Sequence, residues 1–286
     1  AYRLIQSWEV SDHSLSPAAD VALEWYENSF NRALEQVEDH FSKYRVSDAL
    51  MTLYKLVWDD FCSWLLEAIK TPDNSIDILT KTRVIALFEN NLRVLHPFMP
   101  FLTEELWHFC GTRTPNEALV ISQWPTPAPF DKKLLDDFDQ IQQLIGAVRK
   151  FRKEKNIGFK AAIQLHVIND KTPWNQYESL LKQLGFIENF LYESPSDSQM
   201  GGTFRVGGAE FFIPLEGRID VDAERQKLEE ELQYAQGFLQ SVEKKLSNER
   251  FVNNAPKQVV AIEKKKAADA VLKIRVLKES LAKLMQ

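Results

Sequence analysis

Two runs of apolar residues near the C-terminus repeat in steps of four and three, and they leave that part of the chain few folds to choose from. The first is Leu228, Leu232, Ala235, Leu239, Val242 and Leu246; the second is Ala267, Ala270, Ile274, Leu277, Leu281 and Leu284. That spacing holds one narrow stripe along one side of a helix, and two such stripes bury themselves best against each other. The stretch between them, Asn248 to Asn254, is polar and turn-prone apart from Phe251-Val252, while Asn254 and Pro256 suit an N-cap and a helical start. So short a link forces an antiparallel hairpin. A first helix of about 26 residues would be ~39 Å long at 1.5 Å per residue. The hairpin must therefore project as an arm.

The N-terminal half repeats a wider helical pattern. Ser16-Pro17 provides a cap and first helical position, and Tyr26, Phe30, Leu34, Val37 and Phe41 follow on one face. Ser47-Asp48 is expected to cap a second helix whose stripe of Leu50, Leu53, Tyr54, Val57, Trp58, Phe61 and Leu65 suits the centre of a bundle. A third helix is expected from about Asp77 to Leu95, carrying Val84, Leu87, Phe88 and Leu92 inward and stopped by Pro97. Pro100 opens a short fourth helix through Trp107. After Pro125, Pro127 and Pro129, a fifth carries Leu134, Phe138, Ile141, Ile145 and Val148. Trp25, Trp58, Trp64 and Trp107 lie within these apolar stripes and are expected in the core.

Strand periodicity replaces helical periodicity near Gly158. Ile163, Leu165 and Val167 alternate with polar residues, a short helix with Leu180, Leu181 and Leu184 follows, and Gly207-Gly208 joins two apolar runs as a hairpin turn. The chain is thus expected to be mainly α in three parts: a helical bundle over 1–156, a small α/β connector over 157–217 and the coiled-coil arm over 218–286.

Charge is unevenly distributed among these parts. Residues 1–217 hold 21 Lys+Arg against 30 Asp+Glu, whereas 244–286 hold 11 against 4. Lys244, Lys245, Arg250, Lys257, Lys264, Lys265 and Lys266 gather from the hairpin tip into its second helix, where contacts with phosphates would release counterions. Solubilising a coiled coil is the competing reading of those lysines. A second basic run, Arg149, Lys150, Arg152, Lys153 and Lys155, surrounds Phe151 at the end of the fifth helix, where positive charge is also favoured by the helix dipole.

Signals for catalysis are weak. The five histidines have no metal-ligand spacing, the two cysteines form no Cys-x-x-Cys pair, and no glycine pair sits in a phosphate-loop context, so neither a metal nor a cofactor is expected. Two thiols in 286 residues make no disulfide framework and suit a reducing, cytoplasmic setting. No apolar run approaches the ~20 residues of a membrane span, so no membrane partner is expected. The start at Ala1, without methionine, suggests a cut within a longer polypeptide.

One stretch carries a family likeness. His96-Pro97-Phe98-Met99-Pro100-Phe101-Leu102-Thr103-Glu104-Glu105-Leu106-Trp107 resembles a motif of the anticodon-binding bundles of class I aminoacyl-tRNA synthetases for branched aliphatic amino acids, and Trp58-Asp59-Asp60-Phe61 and Ser122-Gln123-Trp124-Pro125 resemble further landmarks in the same order. Ile213-Pro214-Leu215-Glu216-Gly217, Lys245-Leu246-Ser247-Asn248-Glu249-Arg250-Phe251-Val252 and Ala255-Pro256-Lys257-Gln258-Val259-Val260 look like the connector and arm of valyl-tRNA synthetases. The likeness spans nearly the whole chain, with 170–200 the least recognisable part.

That resemblance implies a monomeric, non-catalytic tRNA-binding part of a ligase. The parent would join valine to its tRNA using ATP with Mg, and would hydrolyse mischarged threonine, because size alone discriminates poorly against an isosteric hydroxyl. Its catalytic and editing domains are missing, and so are the His-Ile-Gly-His and Lys-Met-Ser-Lys-Ser type signatures that hold ATP in the family. It further implies that the bundle receives the anticodon end and the arm the outer corner of the tRNA, with Lys257, Lys264, Lys265 and Lys266 as arm contacts. Arg83 and Arg93 are candidates on the anticodon side, with surface ion pairs as the alternative. An isoleucine-type sister and a purely structural coiled-coil protein remain as rival readings.

Overall fold

In the computed structural model α2 (Pro17–Ser42) is the helix against which most others pack. The structure describes all residues except 13–15, 72, 115, 169–173, 197–198, 216–220, 248–259, 261–262, 264, 272–273, 276 and 279–286; of 221–228 and 231 it describes the backbone alone. Ser16 caps α2 by accepting from the Ala19 amide, with Pro17 as the first helical residue. Its inner face buries Leu23, Trp25, Tyr26, Leu34 and Val37. Before α2 lie α1 (Tyr2–Ser7) and β1 (Glu9–Ser11), and β1 pairs in parallel with β2 (Ser75–Asp77), Val10 opposite Ile76.

Beyond β2, α5 (Ile78–Leu95) is capped by Asp77, which accepts from the Thr80 amide at 2.8 Å. Arg83 reaches Asp20 and Glu27 near the start of α2, whereas Phe98 stacks on Phe41 near its end, so α5 runs alongside α2 in the same direction. Between them the Tyr26 hydroxyl donates to Asn91 Oδ1 at 2.8 Å in a fully buried site. At the far end α6 (Pro100–Cys110) turns the corner, and α7 (Lys132–Glu154), capped by Asp131, returns with Phe138 stacked on Trp25 at 3.9 Å. The Pro-rich loop before α7 is pinned to α2, because Asn31 and Asn28 accept from the amides of Ala128 and Asp131.

The second helix departs from expectation. It begins at Val46 with Arg45 at the cap, so Ser47 and Asp48 lie in its first turn without capping it. α3 (Val46–Tyr54) continues through a π-helical stretch (Lys55–Leu65) into α4 (Leu66–Ile69). Ala49, Leu53, Leu56, Phe61 and Leu65 are buried, but Leu50, Tyr54 and Trp58 face solvent, Trp58 being 61% exposed. Val46, Leu50, Tyr54 and Trp58 are all exposed, so the series lies on the outer face of the helix from its first residue. Of the four tryptophans expected inside, Trp25 and Trp107 are buried and Trp64 is half-buried.

The connector forms a four-stranded sheet in the order β4-β3-β6-β5. β3 (Ile163–Val167) and β4 (Ile187–Leu191) are parallel and joined by α8 (Glu178–Gly185), while β5 (Gly201–Val206) and β6 (Ala209–Pro214) form the hairpin. Gly207 turns it at φ +58, a conformation that favours glycine. The sheet does not stand apart from the bundle. Phe151 of α7 packs against Phe204, α8 lies on α2 and α4, and the Gln183 amide donates to the carbonyls of Ala68 and Lys70. Bundle and connector share one core.

The arm starts with α9 (Val221–Leu246). Helical backbone returns at 260, 263 and 265–271, and Lys245 Nζ lies 4.0 Å from Glu263 Oε2, so the end of α9 meets the start of the second helix and the pair is antiparallel. Ala235, Val242, Ala270 and Leu277 are buried between them. No helix among the described residues is long and apolar enough to cross a membrane.

Candidate nucleic-acid interface

Four of the candidate arm lysines can be placed. Lys244 and Lys245 end α9, Lys265 and Lys266 lie in the second helix, and all four are exposed. Glu263 sits among them, and Lys266 donates to its Oε1 at 2.7 Å, which holds that carboxyl below its usual range. One carboxylate thus partly answers Lys266 and Lys245, while neither Lys244 nor Lys265 has an ion pair with a described residue. Arg250, Lys257 and Lys264 lie outside the described residues.

The second basic run divides by helix face. Arg149 is exposed, with its guanidinium 5.6 Å from the Trp64 ring centroid and 6.0 Å from that of Phe159. Lys150 pairs with Glu154 at 3.8 Å; Lys153 is exposed and Lys155 half-buried. Arg152 is different, being only 3% exposed. Its guanidinium donates to the carbonyls of Gly158 and Ala161 through Nη1, at 3.0 and 2.6 Å, and to those of Gly185 and Phe186 through Nη2, both at 3.0 Å. The expectation that Arg152 meets tRNA gains no support from this position, since its guanidinium is buried and engaged by four backbone acceptors.

The two arginines of α5 are also engaged. Arg83 bonds Glu27 at 3.0 Å and Asp20 at 3.1 Å, and Arg93 lies 4.9 Å from the Trp107 centroid while donating to Asn90 at 2.5 Å. Arg113 also stands over Trp107, at 3.7 Å, and bonds its carbonyl and Glu89. His96, Thr103, Glu104 and Trp107 of the His96 to Trp107 motif are likewise used within the fold. His96 Nδ1 lies 2.8 Å from Thr103 Oγ1, Glu104 accepts from the Leu119 amide at 2.9 Å, and Trp107 Nε1 donates to the Glu117 carbonyl at 2.9 Å. The motif builds the α5–α6 corner.

Residues 24–168, just over half of the chain, match the family described as the anticodon-binding domain of tRNA ligase. The chain belongs to that family. The match begins inside α2 and runs through β3, so family membership covers the bundle and the first strand of the connector. A second match, to the valyl tRNA synthetase tRNA binding arm, takes residues 220–285. A valine–tRNA ligase of Christiangramia forsetii is 48% identical over 99% of the chain, one of Phocaeicola vulgatus 42% over 99%, and one of Bacillus subtilis 32% over 94%. In each case the aligned region is 32% of the relative, so the chain spans about a third of the length of the ligases it matches, at their C-terminal end. Sequence reasoning missed one surface feature of this family member, the exposed Tyr54 and Trp58 rings stacked 6.2 Å apart.

Proposed function

We infer that the chain is the tRNA-binding C-terminal part of a valine–tRNA ligase, with no catalytic role of its own. The observation that carries the reading is the similarity to valine–tRNA ligases along 99% of the chain, bundle, connector and arm together. An isoleucine-type sister would share the bundle but not the arm, and a purely structural coiled coil would leave the family bundle unexplained.

In this reading the parent enzyme uses ATP with Mg to esterify valine to its tRNA in the cytoplasm, as a monomer, and edits threonine in domains outside this chain. The bundle (1–156) takes the anticodon end, where unstacked bases can be read by stacking and edge hydrogen bonds. The connector (157–217) fixes the direction of the arm, and the arm (218–286) meets the backbone of the outer corner. Lys244, Lys245, Lys265 and Lys266, with Arg250, Lys257 and Lys264 of the same run, supply phosphate contacts. Arg149, Lys153 and Lys155 form a second basic patch on the body. Arg93 serves the anticodon side, while Arg83 acts mainly by holding α5 against α2 through Asp20 and Glu27.

The test is a fluorescence titration of valine tRNA with the chain and with a Lys244→Ala/Lys265→Ala variant at several salt concentrations. Each phosphate contact removed should lower the slope of log K against log salt by roughly one. No binding by the parent chain at low salt would end this reading.

A further inference from the structure

Apart from the basic residues, one unexplained feature of the bundle is an apolar stripe left exposed among the described residues. Val46, Leu50, Tyr54 and Trp58 follow one another at intervals of four, Met51 lies beside them, and Tyr44 stands at the turn that precedes α3; all six are exposed. Tyr44 adds a second oddity. Its backbone is left-handed at φ 57, where glycine or asparagine is ordinarily placed, and its side chain is 92% exposed. That backbone closes α2, the Arg45 amide donating to the His40 carbonyl at 2.8 Å, but the Tyr44 ring, so fully exposed, has no use within the bundle itself. Nor do the Tyr54 and Trp58 rings, stacked together at 6.2 Å on the outer side.

We propose that this stripe is the docking surface for the remaining two-thirds of the full-length ligase chain, the part that holds its catalytic body. The proposal rests on the functional reading above. Three observations choose that occupant. First, the chain accounts for only 32% of the length of its relatives, so a much larger body has to be held in a fixed relation to the bundle if an anticodon contact is to bear on a distant reaction. Second, the charge is wrong for RNA. From Lys43 to Leu66 the basic residues Lys43, Arg45 and Lys55 only balance Asp48, Asp59 and Asp60, and Lys43 and Arg45 are paired with Asp39, whereas single-strand platforms set their aromatic rings in a basic groove. Third, side chains of this number present roughly a few hundred Å², well under the ~800 Å² per partner of a stable dimer. A covalently linked body needs far less area, because its effective concentration is already in the millimolar range.

Hydroxyl-radical footprinting tests the assignment on the full-length ligase that carries this sequence, beside the 286-residue chain, each with and without valine tRNA. Oxidation of Trp58 and Tyr54 should be at least fivefold slower in the full-length protein without tRNA, while the exposed Tyr234 of α9 reacts equally in both. Equal reactivity of Trp58 in the two proteins would overturn the proposal. So would protection that appears only with tRNA, which would make the stripe an RNA platform, or protection in the 286-residue chain that grows with its concentration, which would make it a self-association face. A Leu50→Glu/Trp58→Glu variant gives an independent readout. The 286-residue variant should bind tRNA as the parent chain does, and the full-length variant should lose at least tenfold in aminoacylation rate at an unchanged tRNA affinity. If the 286-residue parent chain fails to bind tRNA, the functional reading falls, and the footprint still decides what covers Trp58.

Discussion

Arg152 Nη2 lies 3.0 Å from the carbonyl oxygen of Gly185, so a residue in the middle of a basic run is the pin between the last helix of the bundle and the connector. The carbonyls it serves belong to the loop before β3 and to the turn after α8, which fixes where the parallel pair β3–β4 begins. A guanidinium suits the task because its planar fork presents several donors at once.

Arg152→Ala should therefore cost stability, at least about 1–3 kcal/mol, the usual cost of leaving a buried acceptor without its donor. Urea unfolding would measure it. Arg152→Lys should recover little, because one ammonium cannot span four acceptors. At a temperature where the variant is folded, its salt slope for tRNA should equal that of the parent chain; a lowered slope would mean that Arg152 touches phosphate after all.

Gly202 sets the second contact between the same two parts. A Cβ there would lie 2.3 Å from the Phe151 ring, which is itself buried against Phe204. Gly202→Ala should lower the urea midpoint by an amount equivalent to about 1–3 kcal/mol, the usual range for overpacking. Combining it with Phe151→Leu should cost less than the two single changes added together, since the smaller side chain makes room.

A pH dependence follows from Asp60. Burial pushes its carboxyl up to about 6 from 3.8, against the pull of Lys55 and Arg32. The folded protein then binds this proton more tightly than the unfolded chain does. Stability from this group is greatest below pH 3.8 and declines as pH rises toward 6, after which it is level. Asp60→Asn should raise the melting temperature at pH 7.5, by the equivalent of up to about 3 kcal/mol. The difference should shrink as pH falls through that window. A gain that is constant with pH would show that Asp60 binds its proton equally well in the folded and unfolded protein.

Much of this fold could be read locally. Ser16, Asp77 and Asp131 cap their helices as their residue types suggest, and the 201–214 hairpin turns at the glycine pair that marks it. What escaped depends on contacts far apart in the chain. The β1–β2 pair joins Glu9 to Ser75 through three-residue strands too short to show alternation, and β4 lies in the least patterned stretch. Among the site residues, the burial of Arg152 did leave a trace. It falls four positions after Val148 and seven after Ile145, on the apolar stripe of α7, whereas Arg149 and Lys153 fall off it. Exposure of Trp58 left less, because Leu50, Tyr54 and Trp58 at intervals of four resemble a core stripe although all three face solvent.

The division of labour between bundle and arm is the central claim, and a four-way titration tests it most directly. The chain and a version ending at Leu215 would each be titrated with valine tRNA and with the same tRNA carrying a foreign anticodon, at low and moderate salt. The account predicts that truncation removes most of the salt slope while preserving the affinity ratio between the two tRNAs. An anticodon preference that disappears with the arm, or a salt slope that survives its removal, would contradict it.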